Sequence, residues 1–167
     1  VYIGINGIAK DLNFYVFDWR TPIASLFYNY GTGPASYEAP RGTISGNISL
    51  KRQYKISDEK IERCFNSDLN IDDEYLQEIL ANASSEKMTN IVNTIQREQN
   101  EIIRNVSDKY LIVQGIAGSG KTSVALHRIA YLLYKEKNLS SNNVLIFSPN
   151  DVFSQYISNV LPELGED

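Results

Sequence analysis

The chain has 167 residues, of which 43% are hydrophobic and 22% charged, with a formal net charge of -4; this is ordinary for a globular protein of one or two small domains. The acidic balance argues against a segment built mainly to grip nucleic acid, because such binding needs clustered Lys and Arg. The single cysteine, Cys64, excludes an internal disulfide and favours a reducing cytoplasm. Because there is also only one histidine, His127, the composition argues against a structural metal. No apolar run is long enough to cross a membrane.

Residues 1–66 predict a β-rich region. The run from Leu12 to Trp19 mixes aromatic and β-branched residues, which are typical of strands. Three further strands are predicted at Ile23–Tyr30, Gly42–Tyr54 and Ile61–Phe65. Turn signals at 31–34 and 57–58 separate them. This part of the chain therefore predicts a meander or a small sheet.

Residues 67–109 predict a helical connector. Three carboxylates open the segment 72–83, and they favour a helix there because they lie at the positive end of its dipole. Apolar residues at helical spacing predict a second helix over 84–103, followed by a polar break. Residues 69–74 also loosely resemble a strand ending in the Asp-Glu pair that organises Mg2+ in ATPases. Their apolar run is short and broken, so we interpret them as a helix start.

Residues 110–167 predict strand, helix, strand and helix in turn. Apolar runs at 110–114 and 144–148 predict the strands, and helical patterns predict helices over about 121–136 and 151–161. Such a βαβα unit is the start of a parallel α/β sheet. Because two strands do not make a stable parallel sheet with both faces covered, the sequence predicts a sheet that is cut short.

A glycine loop joins the first of these strands to its helix. The segment Gly115–Thr122, GIAGSGKT, fits the pattern G-x-x-x-x-G-K-[ST] in full. Its glycines let backbone N–H groups approach an anion closely, and the helix that follows points its positive end at the same place. Lys121 can set its ammonium against the β- and γ-phosphates, and Thr122 can offer a hydroxyl to Mg2+. A glycine-rich turn that binds nothing is the alternative, but the strand and helix on either side favour binding of ATP and Mg2+.

Several segments resemble the opening of the superfamily 1 helicases of the UvrD/PcrA/Rep type. They are IQREQNEIIR at 95–104, LIVQGIAGSGKT at 111–122, HRIA at 127–130 and VLIFSPN at 144–150. Upstream segments look like the HelD branch, whose members are often described as helicase IV. These are DWRTPIASLFY at 18–28, SYEAP at 36–40, LKRQY at 50–54 and DLNIDD at 68–73. The chain is identified by this resemblance as an N-terminal fragment of a HelD-type protein.

The resemblance implies an α/β fold in which a β-rich N-terminal region precedes the first part of a RecA-like P-loop domain with a truncated parallel sheet. The implied domains are a β-rich region (1–66), a helical connector (67–109) and a partial P-loop unit (110–167). Gln99, on the connector, matches the glutamine that reads the adenine edge, and a side-chain amide suits N6 and N7 of adenine. The other residues that match the nucleotide site are Gly115, Gly118, Ser119, Gly120, Lys121 and Thr122, of which Lys121 and Thr122 take the catalytic roles and Thr122 the metal. Ser123 is a further candidate for nucleotide binding, because it can add a hydroxyl nearby.

The chain departs from the family pattern at two places. Many relatives have Arg directly after the loop threonine, where this chain has Ser123. Relatives also carry Thr-Phe-Thr-Asn where this chain has Phe147–Asn150. Ser148 and Asn150 are still candidates for contact with a nucleic-acid backbone, although Pro149 removes an N–H donor. These departures argue against strand separation as the main task.

The resemblance implies an ATP-driven motor whose parent protein binds RNA polymerase and frees it from nucleic acid in the cytoplasm. The fragment alone is expected to be inactive, because it lacks the second RecA-like half with its arginine finger. One alternative is a UvrD-type helicase that translocates on single-stranded DNA. A small-molecule kinase with the same loop is another, but no arginine follows Arg128 to form a lid. A non-enzymatic fragment with a protein-binding β region is the last.

Overall fold

The computed structural model describes residues 1–66 and 97–151, together with residues 154, 155, 157 and 158. The chain divides into two compact units, residues 1–21 with 99–167 and residues 22–98. All described strands lie within residues 3–66, and the longest described helix follows at 121–135. The described chain is therefore mixed α/β with a β-rich N-terminal part, as the sequence predicts.

The first unit opens with a small three-stranded sheet. Its strands, in the order β1-β3-β2, are β1 (Ile3–Gly4), β2 (Ile8–Lys10) and β3 (Asn13–Asp18). β2 and β3 form an antiparallel hairpin, whereas β1 lies parallel to β3. Asp11 and Leu12 make the hairpin turn with positive φ angles of 51° and 65°, a backbone that matches the twist of the paired strands. β3 confirms the strand predicted from Leu12 to Trp19.

Two helices complete the first unit. They are α2, described over residues 97–104, and α3 (Lys121–Lys135). Trp19 lies buried with Ala130 and Tyr131 of α3, and Ile3 and Ile103 pack against this cluster. One apolar cluster thus joins the small sheet, α2 and α3. Both helices confirm predictions, since α2 is the end of the helix predicted over 84–103 and α3 begins and ends within a residue of its predicted bounds.

The second unit consists of two β-hairpins and a short helix. Its elements are a 3-10 turn at Pro22–Ala24, α1 (Ser25–Asn29), β4 (Gly33–Ala39), β5 (Gly42–Ile48), β6 (Arg52–Ser57) and β7 (Lys60–Asn66). β4 pairs antiparallel with β5, and β6 with β7. The β6–β7 turn has positive φ at Asp58 and Glu59, which confirms the turn predicted at 57–58 and the strand predicted after it.

The strand predicted at Ile23–Tyr30 is wrong, because this segment is helical. Pro22 has the φ angle that suits the first turn of a helix. The Ser25 hydroxyl donates to the Pro22 carbonyl at 2.7 Å, and Ala24 is fully buried. Local closure of the turn therefore outweighs the strand preference of the apolar residues that follow.

The single strand predicted at Gly42–Tyr54 is also wrong, because the structure divides it into β5 and β6. Lys51, between them, is buried, and its ammonium donates to the Tyr30 carbonyl at 2.9 Å and lies 4.7 Å from the centre of the Phe27 ring. Because the chain turns inward at Lys51, the strand pairing of β5 does not continue into β6. β4, which pairs with β5 over its whole length, is not predicted at all.

The strands predicted at 110–114 and 144–148 are not formed, since the described residues place neither segment in a sheet. Most of their apolar side chains are exposed instead; the exposed fraction is 92% for Ile112 and 88% for Phe147. A parallel strand is held by ladders to its neighbours and by helices over its faces, and no described segment supplies a ladder to either run. The predicted truncated parallel sheet is therefore not seen in the described residues.

Some predicted features lie outside the described residues. They are the helix over 72–83, the first part of the helix over 84–103 and the acidic segment 69–74. The described residues after Asp151 are helical, in agreement with the helix predicted over 151–161. Among the helices that the structure describes, none is long and apolar enough to span a bilayer.

Candidate functional site

The glycine loop lies at the N-terminal end of α3 and is open to solvent. Residues 114–119 are exposed. Gly118 and Gly120 both have φ of +79°, and Gly120 is the cap residue from which α3 starts. This left-handed backbone is strained for any residue with a Cβ. The two glycines therefore let the chain turn sharply into the helix.

The loop is also tightly curled on itself. A Cβ added to Gly115 would lie 2.6 Å from the Ser119 hydroxyl oxygen, which is closer than the atoms can approach. The Ser119 N–H donates to the Ile116 carbonyl at 3.3 Å. A side chain at Gly115 would therefore force the Ser119 hydroxyl to rotate away from its present position.

Most backbone amides of the loop remain available to a ligand. In the described chain, Ser119 is the one residue among 115–120 whose N–H donates to another backbone carbonyl. The first hydrogen bond of α3 runs from the Val124 N–H to the Gly120 carbonyl at 2.9 Å. The amides of residues 121–123 therefore belong to the unpaired first turn of a helix, and together with the loop amides they form an electropositive end.

Lys121 and Ser123 differ in where their side chains point. The Lys121 ammonium donates to the carbonyls of Gly115 and Ile116 at 2.9 and 2.6 Å, so it lies within the curl of the loop. Thr122 is half-buried at the start of α3. The Ser123 hydroxyl lies 3.4 Å from Nδ1 of His127, one turn along the same helix. The structure thus directs Ser123 along α3, while Lys121 reaches the loop.

Gln99 is brought to the loop from a distant part of the sequence. Its side-chain amide donates to the Ser119 carbonyl at 3.4 Å, and its nitrogen would lie 3.2 Å from a Cβ added to Gly120. Gln99, the glycines, Ser119 and Lys121 therefore share one site.

Ser148 and Asn150 make local contacts in a different segment. Asn150 is exposed and Ser148 is half-buried, and the Ser148 hydroxyl donates to the Asn150 carbonyl at 2.8 Å. The same carbonyl accepts the Ser154 N–H at 3.1 Å.

His127, Tyr131 and Tyr134 form a stripe along α3, which we call the α3 stripe. Its contacts could not be predicted from the sequence. The Trp19 ring meets the His127 ring edge-on at 5.5 Å, and the guanidinium groups of Arg104 and Arg20 lie over the rings of Tyr131 and Tyr134. The spacing of His127, Tyr131 and Tyr134 puts them on one helix face. This spacing is visible in the sequence. The contacts with Trp19 and Arg20 are not, because these two residues lie more than 80 positions away along the chain.

Two family models match the chain. The N-terminal domain of DNA helicase IV HelD matches residues 1–81, and the N-terminal domain of the UvrD/REP helicases matches residues 95–151. Gln99 and the glycine loop lie in the second match. Trp19 and Arg20 lie in the first, so the α3 stripe is in contact with residues from both matched segments.

Curated relatives that match the chain include the ATP-dependent DNA helicases PcrA of Staphylococcus epidermidis and Staphylococcus aureus. Each is 48% identical over 58 residues, which are 35% of this chain and 8% of the relative. The chain therefore spans only a small part of the length of these proteins.

Proposed function

Because the chain belongs to the superfamily 1 helicases of the UvrD/PcrA/Rep type and matches the N-terminal domain of their HelD branch, we propose that it binds ATP through residues 115–122. The observation that carries this proposal is the open loop with available amides and two left-handed glycines at the start of α3. A polyphosphate is the ligand that such a cradle fits, since several N–H groups and a helix end converge on it. The names of the PcrA relatives, which are ATP-dependent helicases, support the choice of ATP.

Each residue of the site has a role in this proposal. Lys121 exchanges the loop carbonyls for the β- and γ-phosphates, and Thr122 offers its hydroxyl to Mg2+. A magnesium ion bound mainly by phosphates and water needs only one or two protein oxygens, so the half-buried Thr122 at the helix start fits it. Gln99 pairs with the adenine edge. Ser123 contributes least, because its hydroxyl faces His127.

The Lys121→Ala variant of the whole protein is expected to bind ATP about 100-fold more weakly, because the ammonium that neutralises the terminal phosphates is lost. Titration with a fluorescent ATP analogue measures the dissociation constant. Lys135→Ala, which removes an exposed lysine at the other end of α3, is the matched control and keeps the wild-type affinity. Equal affinities for the two variants would refute phosphate binding by the loop.

For the whole protein we propose a RecA-like motor of the HelD type that releases or recycles RNA polymerase in the cytoplasm. The match of residues 1–81 to the HelD N-terminal domain supports this choice. The 48% identity to PcrA helicases over 58 residues favours the second candidate, a DNA helicase that translocates on single-stranded DNA. The exposed Asn150 and the half-buried Ser148 would contact the nucleic-acid backbone in either case.

A pull-down separates the two candidates. The whole protein is expected to recover RNA polymerase from solution and to unwind a DNA duplex with a single-stranded tail poorly. The unwinding assay uses a PcrA helicase as its positive control and omits ATP as its negative control. Efficient unwinding with no recovered polymerase would instead establish the second candidate.

A further inference from the structure

The C-terminal end of α2 is fastened to three consecutive backbone carbonyls. Arg104 donates from Nη2 to the Trp19 carbonyl at 2.6 Å and from Nη1 to the carbonyls of Arg20 and Thr21 at 3.3 and 3.2 Å. Its Nε donates to the side-chain oxygen of Asn100, one turn earlier, at 3.0 Å. One planar guanidinium thus connects α2 with the turn at 18–21.

This turn is itself held in a fixed shape. The buried Asp18 carboxylate accepts the Arg20 backbone N–H at 2.8 Å and both ends of the Arg20 guanidinium at 2.9 and 2.7 Å. The Thr21 hydroxyl donates to the Asp18 carbonyl at 2.6 Å. Because these bonds fix the backbone, the carbonyls of 19–21 present a preformed acceptor set to Arg104.

A second arginine holds the same end of α2 to α3. Arg128 donates from Nη1 to the Ile102 carbonyl at 2.6 Å. This is one of the last carbonyls of α2, and it also accepts the Asn105 N–H at 3.4 Å. The Arg104 guanidinium also lies 5.2 Å from the centre of the Tyr131 ring on α3. α2 is therefore fixed with respect to the helix that starts at the glycine loop.

The other end of the described part of α2 carries Gln99. Gln99 lies five positions before Arg104, about 7.5 Å along the helix axis. A helix this short moves as one body, so its fastening at Arg104 also determines where the Gln99 amide lies against Ser119 and Gly120.

We propose that Arg104 is a positioning residue for recognition of the nucleotide base. It acts through α2 by holding the helix against the 18–21 turn, so that Gln99 faces a bound base; the turn thereby sets the preference for adenine over guanine. Adenine offers Gln99 a donor and an acceptor, whereas guanine offers two acceptors at the same edge. This inference rests on the proposed function, because it presumes that the loop binds a nucleotide.

The test compares the dissociation constants of ATP, GTP and inorganic tripolyphosphate for the whole protein. The ratio of the GTP to the ATP constant is expected to be about 10 or more in the wild type and close to 1 in Gln99→Ala. Arg104→Ala is expected to lower the ratio by about fivefold, while its affinity for tripolyphosphate stays within about twofold of the wild type. Partial unfolding affects all three ligands equally and leaves the ratio unchanged, so a merely structural defect does not imitate this result.

Two further variants complete the design. Arg104→Lys keeps the charge but cannot place several N–H groups in a fixed fork, so an intermediate ratio is expected; this variant also serves if Arg104→Ala does not fold. Arg97→Ala removes an exposed arginine of the same helix and keeps the wild-type ratio. A wild-type ratio in both Arg104 variants, with Gln99→Ala at 1, would overturn the inference alone. Failure of the wild type to bind tripolyphosphate would overturn the proposed function, and this inference with it.

Discussion

The Trp19→Ala variant is expected to lose about 3–5 kcal/mol of the free energy of unfolding. Trp19 is only 8% exposed, and it packs with Ala130 and Tyr131 while its ring meets His127 edge-on. Alanine would leave a cavity where the small sheet, α2 and α3 come together. Few single changes reach this size, because few residues join three elements at once.

Urea titration followed by circular dichroism measures this loss. Trp19→Phe keeps an aromatic ring at the centre of the cluster and should lose less than the alanine variant. Tyr15→Ala removes an aromatic side chain that is 56% exposed, and its effect should stay below about 1 kcal/mol. If Trp19→Ala unfolded at the same urea concentration as Tyr15→Ala, the apolar cluster would not be the core of the first unit.

Asp18→Ala is expected to destabilise the chain by a similar amount, about 3–5 kcal/mol. Asp18 and Arg20 are 7% and 6% exposed, and their closest N–O distance is 2.7 Å. Removing the carboxylate takes the Asp18 partner away from a buried guanidinium and frees the backbone of the turn. The cost comes mainly from the desolvation of a buried guanidinium that has lost the Asp18 carboxylate.

The double variant Asp18→Ala/Arg20→Met tests that reason. Because it removes both charges, it should be more stable than Asp18→Ala alone by at least about 1 kcal/mol. Fluorescence of Trp19, the single tryptophan of the chain, reports unfolding in these variants. Glu101→Ala, which removes an exposed carboxylate from α2, is the control and should change stability by less than about 0.5 kcal/mol. A double variant no more stable than Asp18→Ala would show that the buried charge is not the cause.

Elements with a strong local signal were predictable. α3 begins at Lys121, directly after the glycine pattern, and the hairpin turn at Asp58 and Glu59 lies where the polar residues indicate it. Such features depend on a few neighbouring residues, on the φ angles that they allow and on the amides that a helix start leaves unpaired. The same local logic failed at Ile23–Tyr30, where a proline and a serine hydroxyl close a helical turn among residues that favour strands.

The apolar runs at 110–114 and 144–148 show the opposite case. Their composition favours strands, yet a strand exists only as a partner of another strand. Composition therefore indicates a tendency at these segments, while the ladder depends on residues far along the chain.

By itself, the sequence determined the glycine loop, the helix that follows it and the candidate roles of Lys121 and Thr122, because residue type and spacing fix this chemistry locally. The candidate role of Gln99 came from the resemblance to the helicase family. Only the tertiary structure decided that Gln99 lies against Ser119 and that Arg104 binds the carbonyls of residues 19–21. The physical reason is that these contacts join segments 20 and more than 80 residues apart. Such contacts form only when burial of Trp19 brings the segments together, and a local sequence pattern does not predict which distant segments will meet.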